Sequence, residues 1–364
     1  MSDRISQLSD WMKENNVDVC FITSKENVFY LSGFYSEAHE RLLGMAVFQD
    51  IEPFLICPGM DAGNARKSGW SHEVVSHSDT DNPWELTKQA IGKRVSNVRT
   101  ISIEKEHMNV ERFEAFTHLF PKAVFLSAEE KLHQLRMVKD VKELATLREA
   151  CQLADYAIEV GAAELSEGKT EMDILAAVEY ELKRKGISEM SFSTMVLTGK
   201  NAAAPHGTPG LTKISRGDLV LFDLGVVLDG YCSDITRTLA FGEINQQQQE
   251  IYDAVLRAQL KSLSIVRPGV TCMELDQTAR KEIAAAGYGD HFPHRLGHGL
   301  GISVHEYPSI TETNPLELKE GMVFTIEPGI YVPDVAGVRI EDDVLVTANG
   351  FETLTKYPKE LKII

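Results

Sequence analysis

The stretch HRLGHGLGISVHE, residues 294–306, sets His294, His298 and His305 among Gly297, Gly299 and Gly301. His294 and His298 stand four residues apart, the spacing that puts two imidazoles on one helix face in HExxH zinc sites. Glycine at alternate positions disfavours a helix, so the stretch reads as strand and loop. Glycines there let backbones approach closely, and imidazoles can bind metal, polarise a carbonyl or move a proton. By itself the stretch reads equally well as a bend whose histidines bond to backbone.

The carboxylates tip that balance. Residues 219–242, LVLFDLGVVLDGYCSDITRTLAFG, read as a hairpin turning at Asp229 and Gly230, with Asp223 inside the apolar strand and Asp234 on the return. A carboxylate inside LVLFDLG is costly unless it is paired or holds a cation; capping a turn beside Gly225 is the plainer alternative. A second pair is Glu327 in FTIEPGIYV and Glu341 in GVRIEDDV. Glu341 and Asp343 share one strand face and Asp342 takes the other, while Arg339 offers Glu341 a salt bridge instead. Four carboxylates and His298 carry a charge of −4, which matches two divalent cations and leaves room for a bridging hydroxide. Oxygen-rich ligation suits Mn²⁺ and tolerates Zn²⁺ or Co²⁺. Two ions roughly 3.5–4 Å apart would acidify a shared water and hold both nucleophile and carbonyl, so the expected chemistry is hydrolysis.

The rest of the chain must position these groups. Its 364 residues suffice for two domains, and 43% hydrophobic with 25% charged residues is ordinary for a soluble globular protein. A net charge of −17 works against nucleic acid and anionic membranes without selecting a substrate. Cys20, Cys57, Cys151, Cys232 and Cys272 form no CxxC pair, which fits a reduced, cytoplasmic chain with buried thiols. A polar N-terminus and the lack of any apolar run long enough to span a bilayer argue against export and membrane insertion.

Ser2 or Asp3 can cap a helix through Asn16, and the strand VDVCFIT follows. Up to Ala128, apolar segments (45–48, 53–57, 100–103, 124–126) alternate with helical ones (84–94, 110–119), which predicts an α/β domain over 1–128. The loop SEAHERLLG, 36–44, reads locally as solvated. A helical pattern over 129–165 carries the domain boundary. Gly161 and Gly168 with the capping run Thr170, Glu171, Met172, Asp173 start a second helix through Lys185. Strands from Met190, helices at 245–266 and 273–286, and two final strand segments predict an antiparallel sheet covered by helices over 129–364. The fold class is therefore α/β (α+β).

Together FDLG…SDITRT, HRLGHGLGISVHE, TIEPGIY and VRIEDD resemble the pita-bread metallopeptidase family, which includes methionine aminopeptidase, aminopeptidase P, prolidase and the non-metal creatinase. The whole chain resembles the prolidase and aminopeptidase P branch, bacterial prolidases above all, in which a smaller creatinase/prolidase-like domain precedes the pita-bread catalytic one. The full carboxylate set separates it from creatinase. The resemblance implies two metal ions on Asp223, Asp234, His298, Glu327 and Glu341, with Asp234 and Glu341 bridging or bidentate. It also implies Glu327 as general base, with His305 and His206, in AAAPHGTPG, beside the scissile carbonyl and oxyanion. Without it, His206 between Pro205 and Pro209 is a surface-loop histidine. His291 and His294 stay outside the ligand set.

A dipeptidase must hold its substrate's free carboxylate, best with a bidentate guanidinium. Arg295 and Arg41 are the candidates. In some bacterial prolidases a loop similar to AHER reaches the partner subunit's active site and an arginine ahead of LGHG contributes to substrate binding. The resemblance thus implies His39, Arg41 and Arg295 as substrate-binding residues and a homodimer. Ser309 stands where other prolidases carry an arginine. The expected function is a cytoplasmic, Mn²⁺-dependent Xaa-Pro dipeptidase. The alternatives are aminopeptidase P action on longer Xaa-Pro-Yaa peptides and a non-catalytic binding protein on the same scaffold.

Overall fold

The structure, a computed structural model, describes residues 3–364; the capping role of Ser2 falls outside them. The chain forms two compact units that part between Arg136 and Met137.

The first unit contains α1 (Asp3–Glu14), β1 (Val19–Ile22), α2 (Lys25–Ser32), β2 (Gly44–Val47), β3 (Phe54–Pro58), α3 (Ala62–Lys67), β4 (Glu73–His77), α4 (Pro83–Gly92), β5 (Thr100–Ile103), α5 (Val110–Leu119), β6 (Val124–Ser127) and α6 (Glu129–Met137). Its six strands lie in the order β4-β3-β2-β1-β5-β6, antiparallel across β1, β2 and β3 and parallel elsewhere. Every residue of β1, β2 and β3 is buried, which is why they read as unbroken apolar runs. Phe21 at the centre of β1 packs on Phe116 of α5, ring centroids 4.8 Å apart.

Helix α2 has no clear apolar stripe, and sequence periodicity missed it. It is held from a distance: buried Glu104 accepts hydrogen bonds from Thr23 N (2.6 Å), Ser24 N (2.8 Å) and Asn27 Nδ2 (2.7 Å). Ser24 caps its start, and Gly33 ends it in the left-handed region at φ 74°. Helix α6 is tied to α2 by Tyr30 Oη donating to Leu135 O and Arg136 Nη1 to Asn27 Oδ1.

The second unit begins with α7 (Val141–Glu164), α8 (Glu171–Arg184), β7 (Glu189–Met190), β8 (Met195–Thr198), β9 (Asp218–Leu224), β10 (Val226–Leu228), β11 (Tyr231–Cys232) and β12 (Ile235–Phe241). It continues with α9 (Gln246–Ser264), α10 (Cys272–Ala285), β13 (Gly297–Gly299), β14 (Glu306–Ile310), β15 (Val323–Ile326), β16 (Gly329–Val332), β17 (Ala336–Arg339), β18 (Asp342–Thr347) and β19 (Gly350–Thr353). Its sheets run β14-β13-β15-β18-β19, β12-β9-β8, β11-β10-β7 and β16-β17, all antiparallel. Ile158 of α7 and Val178 of α8 share a core with Phe222 and Leu239, while Val255 of α9 and Leu275 of α10 share another with Phe324 and Val344. Helices over an antiparallel sheet are what the element order predicted. No helix among the described residues is long and apolar enough to cross a membrane.

Three details correct the sequence reading. The pattern over 129–165 is two helices, because Val138 bridges Met322, Lys139 N donates to Gly321 O, and Asp140 with Glu143 forms a capping box that restarts the helix. Gly161 lies inside α7 and does not help to start the next helix: a Cβ there would come within 2.6 Å of the Phe222 ring, so glycine allows close packing. The two C-terminal strand segments are four, with breaks after Ile326 and after Arg339.

Candidate active site

Those breaks fall at the carboxylates. Asp223 lies in β9 opposite Thr236 of β12, and Asp234 sits in the gap between β11 and β12. Glu327 occupies the gap between β15 and β16, Glu341 the gap between β17 and β18, and His298 the middle of β13. A strand interruption re-aims a side chain that regular pleating would point elsewhere. All five line one pocket of about 430 Å³, together with His206, His294, Arg295, His305 and Arg339.

The donor geometry fits a metal centre. Single donor atoms of Asp234, His298 and Glu341 lie within 4.8 Å of one another. His298 Nδ1 is 3.1 Å from Gly299 O; with Nδ1–H donating there, the Nε2 lone pair faces Glu327 Oε1 at 3.3 Å and Asp234 Oδ2 at 3.7 Å. Among the described residues Asp223 Oδ1, Asp234 Oδ1 and Glu341 Oε1 are buried without a hydrogen-bond partner. Burial pushes the Asp223 carboxyl up, and burial plus neighbouring carboxylates push Asp234 and Glu341 well above the carboxylate range. Burial is the largest influence on Glu327 and acts against its charge, but His298, His294 and Arg339 together outweigh it and hold that carboxyl at about 2. Orphaned acidic oxygens around a bare imidazole nitrogen are what divalent cations compensate.

Around this cluster lies a frame that periodicity did not reveal. Arg339 pairs with Asp223 instead of Glu341, and also donates to Tyr331 Oη (2.5 Å) and Thr236 Oγ1 (3.1 Å). Thr236 Oγ1 in turn donates to Glu341 Oε2 at 2.6 Å. Thr325 Oγ1 donates to Glu327 Oε1 at 3.2 Å. Asp343 accepts from Asp234 N at 2.9 Å, and burial raises its carboxyl to about 8. Asp342 is fully buried too, against Arg237, Gln259, Thr355 and Lys359. Alternation gave the faces of the IEDD strand but not that both are covered. The available signal was Arg237, a charge inside the otherwise neutral strand ITRTLAF.

The glycines of the histidine stretch are there for space. A Cβ on Gly297 would lie 1.9 Å from Thr325 O, and one on Gly299 2.4 Å from Tyr307 O. Gly297→Ala must push β13 off β15 and carry His298 with it. The expected result is metal affinity lower by about tenfold or more, with about 1–3 kcal/mol of stability lost. Metal titration of the purified variant checks this, and wild-type affinity would contradict it.

His206 and His305 both reach the pocket. His206 follows the 3₁₀ turn Gly199–Ala203 on an exposed loop, and the His305 ring stands edge-on to His298 with centroids 4.3 Å apart. Partial burial, with His298 and Arg295 beside it, brings the His305 imidazole down to about 4, so it is neutral at ordinary pH. Arg295 Nη1 donates to Ser309 Oγ at 3.1 Å. His294 Nε2 is 3.0 Å from Tyr331 Oη and His291 Nδ1 3.1 Å from Tyr331 O. His39 and Arg41 belong to the first unit, where Arg41 pairs with Asp79 (2.7 Å) and Glu40 (3.0 Å), and His39 takes the left-handed conformation at φ 54°.

The model of metallopeptidase family M24 matches residues 145–348, and that of the creatinase/prolidase N-terminal domain matches 4–138. YkvY of Bacillus subtilis strain 168, provisionally named a dipeptidase, is 55% identical over 362 residues, 100% of each chain. The Xaa-Pro dipeptidase from Bacillus anthracis has a TM-score of 0.93 at 32% identity, covering 100% of this chain and 99% of that one. The X-Pro aminopeptidase from Thermotoga maritima has a TM-score of 0.87 at 31% identity, covering 96% and 98%. Fold similarity of this order spans both activities and does not choose between them. With both halves matched and the carboxylate pocket formed, the chain belongs to metallopeptidase family M24 and is a metal-dependent peptidase with a creatinase/prolidase-type N-terminal domain.

Proposed function

We propose that the protein is a cytoplasmic prolidase, a dinuclear-metal enzyme that cleaves the Xaa-Pro bond of dipeptides. The observation that carries this reading is the set of buried, unpartnered carboxylate oxygens around His298, beside a guanidinium suited to a substrate carboxylate. Asp223, Asp234, His298, Glu327 and Glu341 would hold the ions, and their oxygen-rich character favours Mn²⁺ over Zn²⁺ or Co²⁺. When bound, the ions acidify water and polarise the peptide carbonyl. Glu327, steadied by the Thr325 hydroxyl, takes the water proton and delivers it to the leaving proline nitrogen. His206 and His305 donate to the carbonyl oxygen as negative charge develops on it. Phe192, Met195 and Val304 give the pocket an apolar wall that keeps water from the reacting bond.

Arg295, braced by Ser309, meets the substrate carboxylate. In a homodimer the 36–44 loop, with His39 and Arg41, completes the partner's site. Five buried free thiols fit a reducing cytoplasm. Replacing Arg295 by Met is expected to raise KM for Ala-Pro about tenfold or more while kcat changes little, because the lost contact is made equally before and during reaction. An unchanged KM would place the carboxylate anchor elsewhere.

The deciding experiment compares Ala-Pro, Ala-Pro-Ala and Ala-Ala with Mn²⁺-loaded protein, using Asp223→Asn as blank. Cleavage of Ala-Pro alone supports the dipeptidase. Preference for Ala-Pro-Ala means that Ser309 marks an open site and the enzyme is an aminopeptidase P. No cleavage of any Xaa-Pro bond overturns the assignment.

A further inference from the structure

The loop over 198–210 carries His206, and one carboxylate pins both of its ends. Glu171, the first residue of α8, is fully buried. Its Oε1 accepts from Thr198 N (2.8 Å) and Asn201 Nδ2 (2.9 Å), and its Oε2 from Gly210 N (2.7 Å) and Asn201 Nδ2 (3.0 Å). Asn201 Nδ2 also donates to Thr208 O at 3.3 Å, which carries the tie to the far side of His206. The seam continues through backbone, with Glu171 N on Thr212 O and Met172 N on Gly210 O. Every donor to the carboxylate is an N–H group, and its place in the first turn of a helix favours negative charge.

Between these anchors the chain turns tightly. Ala204 N donates to Asn201 O and Gly207 N to Ala204 O, and a Cβ on Gly207 would come within 2.8 Å of Leu197. Among the described residues no hydrogen bond holds the His206 ring itself. Where the imidazole stands is therefore set by the backbone beneath it, and Glu171 is what joins the two ends of that backbone.

We propose that Glu171 is a positioning residue for the peptidase reaction: by gripping Thr198, Asn201 and Gly210 it fixes His206 at the pocket, though it does not line the pocket itself. The inference rests on the reading of His206 as a group that acts on substrate. A glutamine at this position would turn one acceptor oxygen into an NH₂ group facing N–H donors, releasing one end of the loop while keeping side-chain size.

The test is a double-mutant cycle on the Mn²⁺-loaded protein with Ala-Pro as substrate, using Glu171→Gln, His206→Ala and the pair, with metal content and thermal unfolding recorded for each. Glu171→Gln is expected to lower kcat roughly tenfold to hundredfold with metal content unchanged, and to have no further effect once His206 is alanine. In the metal-free proteins, where no paramagnetic Mn²⁺ erases nearby signals, the His206 ring resonance, assigned by its loss in His206→Ala, should shift or broaden in Glu171→Gln. Equal loss in both backgrounds, or an unchanged kcat, overturns the proposal. If His206→Ala is fully active while Glu171→Gln is impaired, the role given to His206 fails and the proposal with it. If Glu171→Gln does not fold, Asn201→Ala replaces it in the same cycle, with a smaller effect in the same direction expected and additivity again the overturning result.

Discussion

Asp234→Asn is expected to abolish peptidase activity and yet stabilise the metal-free protein. Asp234 is 5% exposed, its Oδ1 has no hydrogen-bond partner, and Glu341, Asp223, Asp343 and Glu327 crowd it with like charge. In the absence of metal, folding must bury this charge or neutralise it, and either is unfavourable. The amide removes the charge at constant size, so the metal-free variant should gain about 1–3 kcal/mol. With Mn²⁺ in excess the order reverses, because an ion that binds only the folded wild type adds about 4 kcal/mol at a thousand times its Kd. Activity should fall on the order of a thousandfold or more, as when a group acting in the transition state is removed. Thermal unfolding of both proteins with chelator and with Mn²⁺ measures the crossover. A metal-free variant less stable than wild type would mean that Asp234 serves the fold and not a cation.

Arg237→Met carries the largest expected loss of stability. The side chain is fully buried in β12, and all of its N–H groups are directed at acceptors. Nη1 donates to Thr236 O and Glu341 O, Nη2 to Asp342 Oδ1 and Tyr357 O, and Nε to Tyr357 O. One guanidinium thus ties β12, the gap that holds Glu341, the start of β18 and the chain near Tyr357. Its removal strands several buried carbonyls and leaves Asp342 to Lys359, Gln259 and Thr355. Breaking a buried pair from one side costs about 3–5 kcal/mol, and for a unit of this size the melting temperature should fall on the order of 10 °C. Lysine should not rescue, since it lacks the planar fork. Because Glu341 O is among the orphaned acceptors, metal affinity should fall with stability. A variant that melts like wild type would show that the network adds nothing to stability.

These two residues differ in how far the sequence revealed them. For Asp234 the local signal lay in its hairpin partner Asp223, since a carboxylate inside the apolar strand LVLFDLG is unfavourable wherever the strand goes, and Asp234 was marked as the second carboxylate of that hairpin. Arg237 sits in equally apolar sequence, three residues further along, but its partners include Tyr357 O and Asp342, more than a hundred residues away. Helix α2 was hidden for the same reason, since its start is held by Glu104. The division of 129–165 into two helices was readable in the DVKE capping box at Asp140, whereas the contact that makes Gly161 necessary was not, since Phe222 approaches from another part of the chain.

By itself, then, the sequence marked most of the longer helices and strands, a chain of two parts and a set of carboxylates and imidazoles as candidates for metal chemistry, because periodicity, capping and the cost of buried charge act within a few residues. Only the tertiary structure decided which of these groups face one another. Alternation along the sequence puts Arg339 on one strand face with Glu341, yet Arg339 meets Asp223, because pairing is set by register between distant strands and by the gaps at Asp234, Glu327 and Glu341 that turn side chains out of the regular pleat.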